Sequence, residues 1–134
     1  MSFANVPAIE PNALTSPFWD ACKRHELIVQ YCEACQNYQY PPMHYCGNCQ
    51  HKNPQWRKSP GIGEIHSSTT VYRPQTPAFE APYVVALIRL DEGWHIVSNI
   101  VGCDPADATI GKRVRVVFTS ISGGFVLPHF GLIE

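Results

Sequence analysis

The stretch that decides the fold runs from Cys32 to Cys49 and reads CEACQNYQYPPMHYCGNC. It holds two Cys-x-x-Cys pairs, Cys32 with Cys35 and Cys46 with Cys49, and ten residues separate the pairs. Two thiolates three positions apart can bind one ion from a tight turn, and two such turns supply four sulfurs at ~2.3 Å in a tetrahedron. The spacing therefore predicts a closed structural site for one Zn²⁺ per chain, with all four cysteines as ligands.

Two other uses of the same cysteines stay open. They could form two disulfides, which are typical of secreted proteins, and four thiolates can also hold iron. The N-terminal residues MSFANVPAIEPNALTSP lack the basic segment and apolar block of a signal peptide. We therefore expect a cytoplasmic chain with reduced thiols, which favours a metal over disulfides.

Length and composition predict one compact domain, or a small domain with an appendage. The chain has 134 residues, 45% of them hydrophobic, and no apolar run approaches the ~20 residues of a membrane span. The net charge is −1, and the ten Lys and Arg are scattered. A nucleic-acid binder usually has a basic face, because neutralising phosphates supplies most of its affinity. The charge balance therefore argues against nucleic acid as a ligand.

The N-terminal part predicts an extended arm and one short helix. Residues 1–14 contain Pro7 and Pro11 and show no periodicity, so the arm would be disordered or lie over a neighbour. Thr15-Ser16-Pro17 reads as a helix start, with a hydroxyl cap followed by proline in the first turn. The helix would cover residues 17–25.

The rest of the chain predicts β structure. The expected strands are 27–31, 55–58, 63–72, 82–90, 93–101, 112–119 and 125–130, with a single helical turn at 104–111. Five strands after Ser59-Pro60-Gly61 favour a Greek-key barrel of the OB type, and a sandwich is the alternative. The expected organisation is an arm and helix over 1–26, a zinc ribbon over 27–60 and a barrel over 61–134.

Strand 82–90 is apolar on both of its faces. One face holds Val84, Ala86, Ile88 and Leu90, and the other holds Tyr83, Val85 and Leu87. A small barrel fills its interior from one face only, so the second face needs a cover. The N-terminal helix is one candidate for that cover, and a partner subunit is the other.

A set of short segments occurs in order from Pro17 almost to the end of the chain. The segments are Pro17-Phe18-Trp19, Cys32-x-x-Cys35, Pro41-Pro42, Cys46-x-x-Cys49, Gly61-x-Gly63, Pro82-Tyr83-Val84-Val85-Ala86, Leu90-Asp91-Glu92-Gly93, Gly102-Cys103-Asp104-Pro105, Ile110-Gly111, Val114-Arg115-Val116-Val117-Phe118 and Leu127-Pro128. In this order they resemble the acyl-CoA-associated OB-fold proteins with an N-terminal rubredoxin-like zinc ribbon, which form domain-of-unknown-function family thirty-five.

The chain departs from that family at three turns. Gly often follows the second Cys of each knuckle, where φ is positive, but here those positions are Gln36 and Gln50. A non-Gly residue in that conformation costs on the order of 1 kcal/mol. His25-Glu26 stands where relatives commonly have a glycine. None of these departures removes a metal ligand.

The resemblance implies a companion subunit rather than a free-standing catalyst. Relatives pair with thiolases, thiolase-like aldolases, acyltransferases and MaoC-like enoyl-CoA hydratases, all of which act on acyl-CoA thioesters. We therefore expect a non-catalytic, zinc-binding subunit of a heteromeric acyl-CoA enzyme that helps to shape its acyl-CoA site. A thiolase-like partner is the first expectation and a MaoC-like partner the second, and the coenzyme A thioester would be a shared ligand.

Candidate contact residues follow from chemistry. The cations near the ribbon–barrel junction, Arg57, Lys58 and Arg73, are candidates for the phosphates of acyl-CoA. Aromatic residues are enriched in interface cores, and the candidates for a partner interface are Phe18, Trp19, Tyr38, Tyr40 and Tyr45. No catalytic residue is predicted, because Cys22 and Cys103 read as small buried apolar residues. The alternative from another class is a nucleic-acid-binding ribbon and OB module.

Overall fold

The computed structural model describes residue 3 and residues 5–133. Within them the chain forms one α-helix and eight β-strands: α1 (Ser16–Lys23), β1 (Leu27–Cys32), β2 (Asn37–Gln39), β3 (Gln55–Ser59), β4 (Ile62–Val71), β5 (Tyr83–Leu90), β6 (His95–Ile100), β7 (Arg113–Ser120) and β8 (Val126–Leu132). Short 3₁₀ turns occupy Pro105–Asp107 and Ser122–Gly124. No helix in the described part of the chain has the length and apolar character needed to cross a membrane.

The first three strands form a small antiparallel sheet that carries the cysteine turns. Its order is β2-β1-β3, with Tyr31 opposite Tyr38 and Leu27 opposite Ser59. β1 therefore lies in the middle of this sheet, with a paired strand on each side. The ribbon predicted between residues 27 and 60 has this sheet as its frame.

The remaining five strands form a closed barrel with the order β4-β5-β6-β8-β7. Its pairs are antiparallel except β6 with β8, which are joined by one parallel pair, Ile100 with Phe130. The Ser98 hydroxyl donates to the Pro128 carbonyl at 2.7 Å across the same seam. Because the sheet closes on itself, the predicted OB-type barrel is confirmed and the sandwich alternative is wrong.

The barrel interior is filled from one of the two apolar faces of β5. The residues of that face, Val84, Ala86, Ile88 and Leu90, are all buried, as are Ile65, Val114 and Phe130 from other strands. The opposite face of β5 is half-buried, and Leu87 there lies beside Val97, which is 63% exposed. The helix α1 packs mainly on β1 and β8, so it is not the main cover of this face.

The ends of α1 differ from the predicted pattern. The predicted hydroxyl cap at Thr15 is wrong, because its side chain accepts a hydrogen bond from the Asn12 backbone N–H at 3.1 Å instead of capping the helix. At the other end His25 has φ 59°, and the Glu26 N–H donates to the Ala21 carbonyl at 2.9 Å. His25 thus occupies the left-handed position where glycine usually ends a helix.

The N-terminal arm lies on the barrel of its own chain. Val6 is buried, and its carbonyl accepts a hydrogen bond from the Ser122 hydroxyl. The Phe3 ring lies 4.8 Å from the His129 ring, which is also buried. The arm was expected to be disordered or to cover a neighbour, and its described part covers β8. Residues 1, 2 and 4 of the predicted arm and residue 134 of the predicted barrel lie outside the described residues.

Candidate metal centre

The four predicted ligands meet at one point of the ribbon. All four sulfurs of Cys32, Cys35, Cys46 and Cys49 lie within 4.8 Å of one another, and the closest pairs are 3.5 Å and 3.6 Å apart. A tetrahedral ion with Zn–S bonds of ~2.3 Å places its sulfurs about 3.8 Å apart. A disulfide needs about 2.05 Å, and all four cysteines are free. The donor set therefore fits a metal ion and does not fit two disulfides.

Two tight turns of the same kind present the sulfurs. In the first, the Gln36 N–H donates to the Cys32 carbonyl at 2.7 Å, and in the second the Gln50 N–H donates to the Cys46 carbonyl at 2.8 Å. Both glutamines have positive φ, 60° and 63°. The left-handed conformation expected at these two positions is confirmed. Each costs on the order of 1 kcal/mol without glycine, which metal–thiolate bonds can offset.

Hydrogen bonds around the cluster spread the thiol pKa values. The side chains of Asn48 and Asn37 donate to Cys35 and lower the pKa of its thiol to about 6. The His51 backbone N–H lowers the pKa of Cys49, but burial and the neighbouring thiols raise it to about 12. The pKa of the Cys35 thiol therefore lies well below that of the Cys49 thiol. A divalent ion replaces the thiol protons, because the thiolate is the form that binds metal.

Two glutamines hold the loop between the cysteine turns. Gln30 is 3% exposed; its side chain donates to the Met43 carbonyl at 3.0 Å and accepts from the Met43 N–H at 2.8 Å. Gln39 donates to Gln30 at 2.9 Å and to the Tyr45 carbonyl at 3.1 Å, and it accepts from the Gly47 N–H. Neither glutamine is among the site residues predicted from the sequence. The available signal was a polar residue, Gln30, inside the apolar strand β1.

Aromatic rings join the helix, the ribbon and the barrel. Tyr40 of the ribbon loop lies 5.8 Å from Phe18 of α1 and 5.5 Å from Trp94 of the barrel, measured between ring centroids. Phe18 is 3% exposed and also meets Trp19 edge-on at 5.0 Å. Phe18 and the Tyr40 ring therefore pack within their own chain, and their role as partner contacts stays a prediction.

The other predicted interface residues differ in exposure. Tyr38 is half-buried and lies 4.9 Å from Tyr31, and Trp19 is half-buried against the core. Tyr45 is 51% exposed, and Met43 beside it is 43% exposed. We call Met43 and Tyr45 the ribbon tip. Tyr45 is a predicted interface residue, and Met43 is an exposed neighbour that was not predicted.

The three predicted acyl-CoA cations do not lie together. Arg57 stacks over the Tyr31 ring at 3.5 Å, and the next residue on β3, Lys58, points to the opposite face of the sheet. Arg73 follows β4, a strand of 10 residues that begins just after β3. Arg73 therefore comes from a different part of the chain than the two cations of β3.

A cavity of about 370 Å³ lies between the ribbon loop and the β5–β6 turn. Its lining includes Tyr38, Tyr40, Met43, Asn48, Trp94 and His95. It touches one of the cysteine turns, so the metal centre supports one of its walls. The cavity therefore lies at the ribbon–barrel junction.

The two thiols outside the cluster are protonated. Burial raises the pKa of Cys22 to about 12. Burial, followed by the charges of Asp107 and Asp104, also raises the pKa of Cys103. Neither thiol has the lowered pKa of a nucleophile.

Family models match both parts of the chain. Residues 19–53 match the ChsH2 rubredoxin-like zinc ribbon domain, and residues 56–119 match the ChsH2 C-terminal OB-fold domain. The two matches meet between the metal centre and the barrel, in the order observed here.

Named relatives fall into two length classes. A DUF35 domain-containing scaffold protein of Methanothermobacter thermautotrophicus is 37% identical and is matched over 74% of this chain and 76% of its own length. A probable enoyl-CoA hydratase alpha subunit of Thermomonospora curvata is 36% identical over 84% of this chain, but this chain spans only 36% of that relative.

A solved structure agrees with the same assignment. The structure titled "Ltp2-ChsH2(DUF35) aldolase" matches with a TM-score of 0.83 and 34% identity, over 94% of this chain and 98% of that one. The sequence identity, the shared order of ribbon and barrel, and the four cysteines all point the same way. The chain therefore belongs to the DUF35 family, whose ChsH2-type members join a rubredoxin-like zinc ribbon to an OB-fold domain.

Proposed function

We propose that this chain is a non-catalytic, zinc-bearing subunit of a cytoplasmic, heteromeric enzyme that acts on acyl-CoA thioesters, with a thiolase-like subunit as its partner. The observation that carries the proposal is the packing of Tyr40 between Phe18 and Trp94, which fixes the ribbon on the barrel and leaves the ribbon tip exposed. The DUF35 scaffold proteins and the ChsH2 aldolase structure support it as relatives.

The metal centre contributes rigidity rather than chemistry. Four thiolates complete the coordination of Zn²⁺, so no position is free to polarise a thioester carbonyl. Zinc is the ion we assign, because the matched ribbon domain is a zinc ribbon and the sulfurs fit tetrahedral zinc. With the ion bound, the two cysteine turns hold the loop that carries Met43 and Tyr45 at a fixed angle to the barrel.

The described residues offer little for catalysis by the chain itself. The closest approach to a base–nucleophile pair is His129 Nδ1 with the Thr119 hydroxyl at 3.0 Å, and His129 is only 2% exposed. A substrate cannot reach a ring that is buried under the N-terminal arm. We therefore expect the purified chain to turn over no acyl-CoA and the complex with its partner to be active.

The ribbon tip is the proposed docking point, and acyl-CoA contact at Arg57, Lys58 and Arg73 stays a prediction. Tyr45 is large, aromatic and half-exposed, which suits the core of an interface. Since Arg57 and Lys58 point to opposite faces of their sheet, a single CoA phosphate group would meet at most one of these two together with groups of the partner.

The test compares two exposed tyrosines. Tyr45→Glu should lower co-purification of the thiolase-like subunit from the native host at least tenfold, because a charge would be buried in the interface. Tyr72→Glu is the matched control, since Tyr72 is 74% exposed in the loop after β4. Both variants should keep one zinc. Equal co-purification of the two variants, or acyl-CoA turnover by the isolated chain, would refute the proposal.

A MaoC-like enoyl-CoA hydratase is the second candidate partner. It is favoured by the hydratase alpha subunits among the relatives, which are more than twice as long as this chain. The activity of the purified complex separates the two candidates. Hydration of an enoyl-CoA indicates the hydratase, whereas cleavage or formation of a carbon–carbon bond on an acyl-CoA indicates the thiolase-like enzyme.

A further inference from the structure

Two histidines outside the cysteine centre face each other on the barrel surface. His66 of β4 and His95 of β6 have ring centroids 5.4 Å apart and ring planes at 75°. Both are exposed, and neither ring has a hydrogen-bond partner among the described residues. All four imidazole nitrogens are therefore free to bind another group.

A β-bulge brings the two rings together. Ile65 and Ser67 pair with consecutive residues of β5, so His66 between them is an extra residue with no opposite partner. A bulge bends its strand and re-aims the side chain that it adds. His66 therefore points outward next to Ser67, and it reaches His95 across the width of β5.

The spacing suits one metal ion. A zinc–nitrogen bond of ~2.0–2.1 Å, plus ~1.1 Å from the nitrogen to the ring centre, puts each centroid about 3.2 Å from the ion. Two centroids 5.4 Å apart then subtend an angle of about 115° at the ion, close to the tetrahedral value. The rings need only rotate about their side-chain bonds, without a change in the strands.

We propose that His66 and His95 form a second metal site, separate from the four cysteines, for a divalent ion of the borderline class such as Zn²⁺ or Ni²⁺. Imidazole suits these ions. Within the described residues the four cysteines are the only group with three or more ligands in reach of one another. The histidine site thus supplies two ligands, and water fills the remaining positions.

The charged residues beside the pair carry both signs, since Arg89 and Arg113 both lie opposite Glu64 in the sheet. Arg89 lies between the histidines on β5, opposite Glu64 on one side and His95 on the other. The Glu64 carboxylate offsets the repulsion that the Arg89 cation exerts on a bound ion. His95 also lines the ribbon–barrel cavity, so the ion would lie at the rim of that cavity with open coordination positions.

The test is a calorimetric titration of the zinc-loaded chain with Ni²⁺. We expect one equivalent to bind at the histidine pair. His66→Gln and His95→Gln should each weaken binding at least tenfold, because a chelating pair becomes a single ligand. His25→Gln is the control, since His25 is an exposed imidazole stacked on Phe118 away from the pair, and it should leave Ni²⁺ binding unchanged.

Zinc content and thermal unfolding of each variant confirm that the fold and the cysteine centre are intact. Two results would overturn the proposal. One is Ni²⁺ binding to His66→Gln or His95→Gln as tight as to the unaltered chain. The other is an equal loss in His25→Gln, which would indicate unspecific binding to surface imidazoles.

Discussion

Replacing Gln30 by alanine should loosen the ribbon around its metal. The side chain makes three hydrogen bonds, two with the Met43 backbone and one with Gln39, at 2.8–3.0 Å. Each such bond contributes about 1 kcal/mol net, so the substitution should cost about 3 kcal/mol. Gln30 is 3% exposed, so water cannot readily take the place of the lost side chain.

That cost should appear as weaker metal retention. Folding of a small ribbon and binding of its ion are one equilibrium, and about 3 kcal/mol corresponds to roughly a hundredfold change in affinity. Competition of the zinc-loaded chain with a chromophoric chelator measures this change directly. The barrel, which has its own core, should unfold at nearly the same temperature as before.

Gln55→Ala is the matched control. Gln55 lies in the same sheet but is exposed and makes one side-chain hydrogen bond, to the Asn53 carbonyl at 3.2 Å. It should change zinc affinity by less than about threefold, consistent with surface substitutions within ±0.5 kcal/mol. If Gln30→Ala bound zinc as tightly as the unaltered chain, the hydrogen bonds to Met43 would not stabilise the metal centre. If Gln30→Ala and Gln55→Ala lost the same zinc affinity, the effect would not be specific to Gln30.

Three further predictions concern the metal, the barrel and pH. Cys46→Ser should leave the purified protein without its ion, as elemental analysis would show, while circular dichroism should show that the barrel stays folded. Cys103→Ser is the control and should keep one ion per chain. Gly63→Ala should destabilise the barrel by about 1–3 kcal/mol in urea unfolding, because a Cβ there would lie 2.2 Å from a backbone oxygen of β5. Gly131→Ala is the control: its Cβ would meet nothing closer than 3.8 Å, so the free energy of unfolding should hardly change. Burial lowers the pKa of His129 to about 4 in the folded chain, whereas the pKa of an unfolded histidine is ~6.5. Between these two pH values the unfolded chain binds a proton at His129 that the folded chain does not. The free energy of unfolding should therefore fall by up to about 3 kcal/mol as the pH drops from 6.5 to 4. His129→Gln should lack that part of the pH dependence, and an unchanged pH profile would contradict the assignment.

The predictable part of this protein rests on short-range patterns. The cysteine spacing fixed the ligand set, because two knuckles with that spacing have few other uses. Alternation along the strand that became β5 separated its two faces, and the structure buries the face that holds Val84. The positive φ of Gln36 and Gln50 could also be predicted, because the cysteine turn requires a left-handed residue at that position. The requirement of the turn outweighs the preference of glutamine for negative φ.

The unpredictable part depends on which long-range partners a side chain meets. Tyr40 and Tyr45 lie five positions apart in the same loop, yet Tyr40 packs between two rings and Tyr45 is half-exposed. Their sequence neighbourhoods do not distinguish them, because the covering residues, Phe18 and Trp94, come from distant parts of the chain. The histidine pair is similar, since it exists only because a bulge at His66 shifts the register of one strand.

The packing of α1 on both β1 and β8 has a consequence for the order of folding. The ribbon closes within residues 27–59, so its contacts are local and its metal can bind early. The helix, in contrast, completes its packing only when β8, about a hundred residues later, has joined the barrel. We expect the amides of α1 to gain hydrogen-exchange protection together with those of β8 and after those of β1 during refolding. Protection of α1 at the rate of the ribbon would show instead that the helix docks on β1 alone.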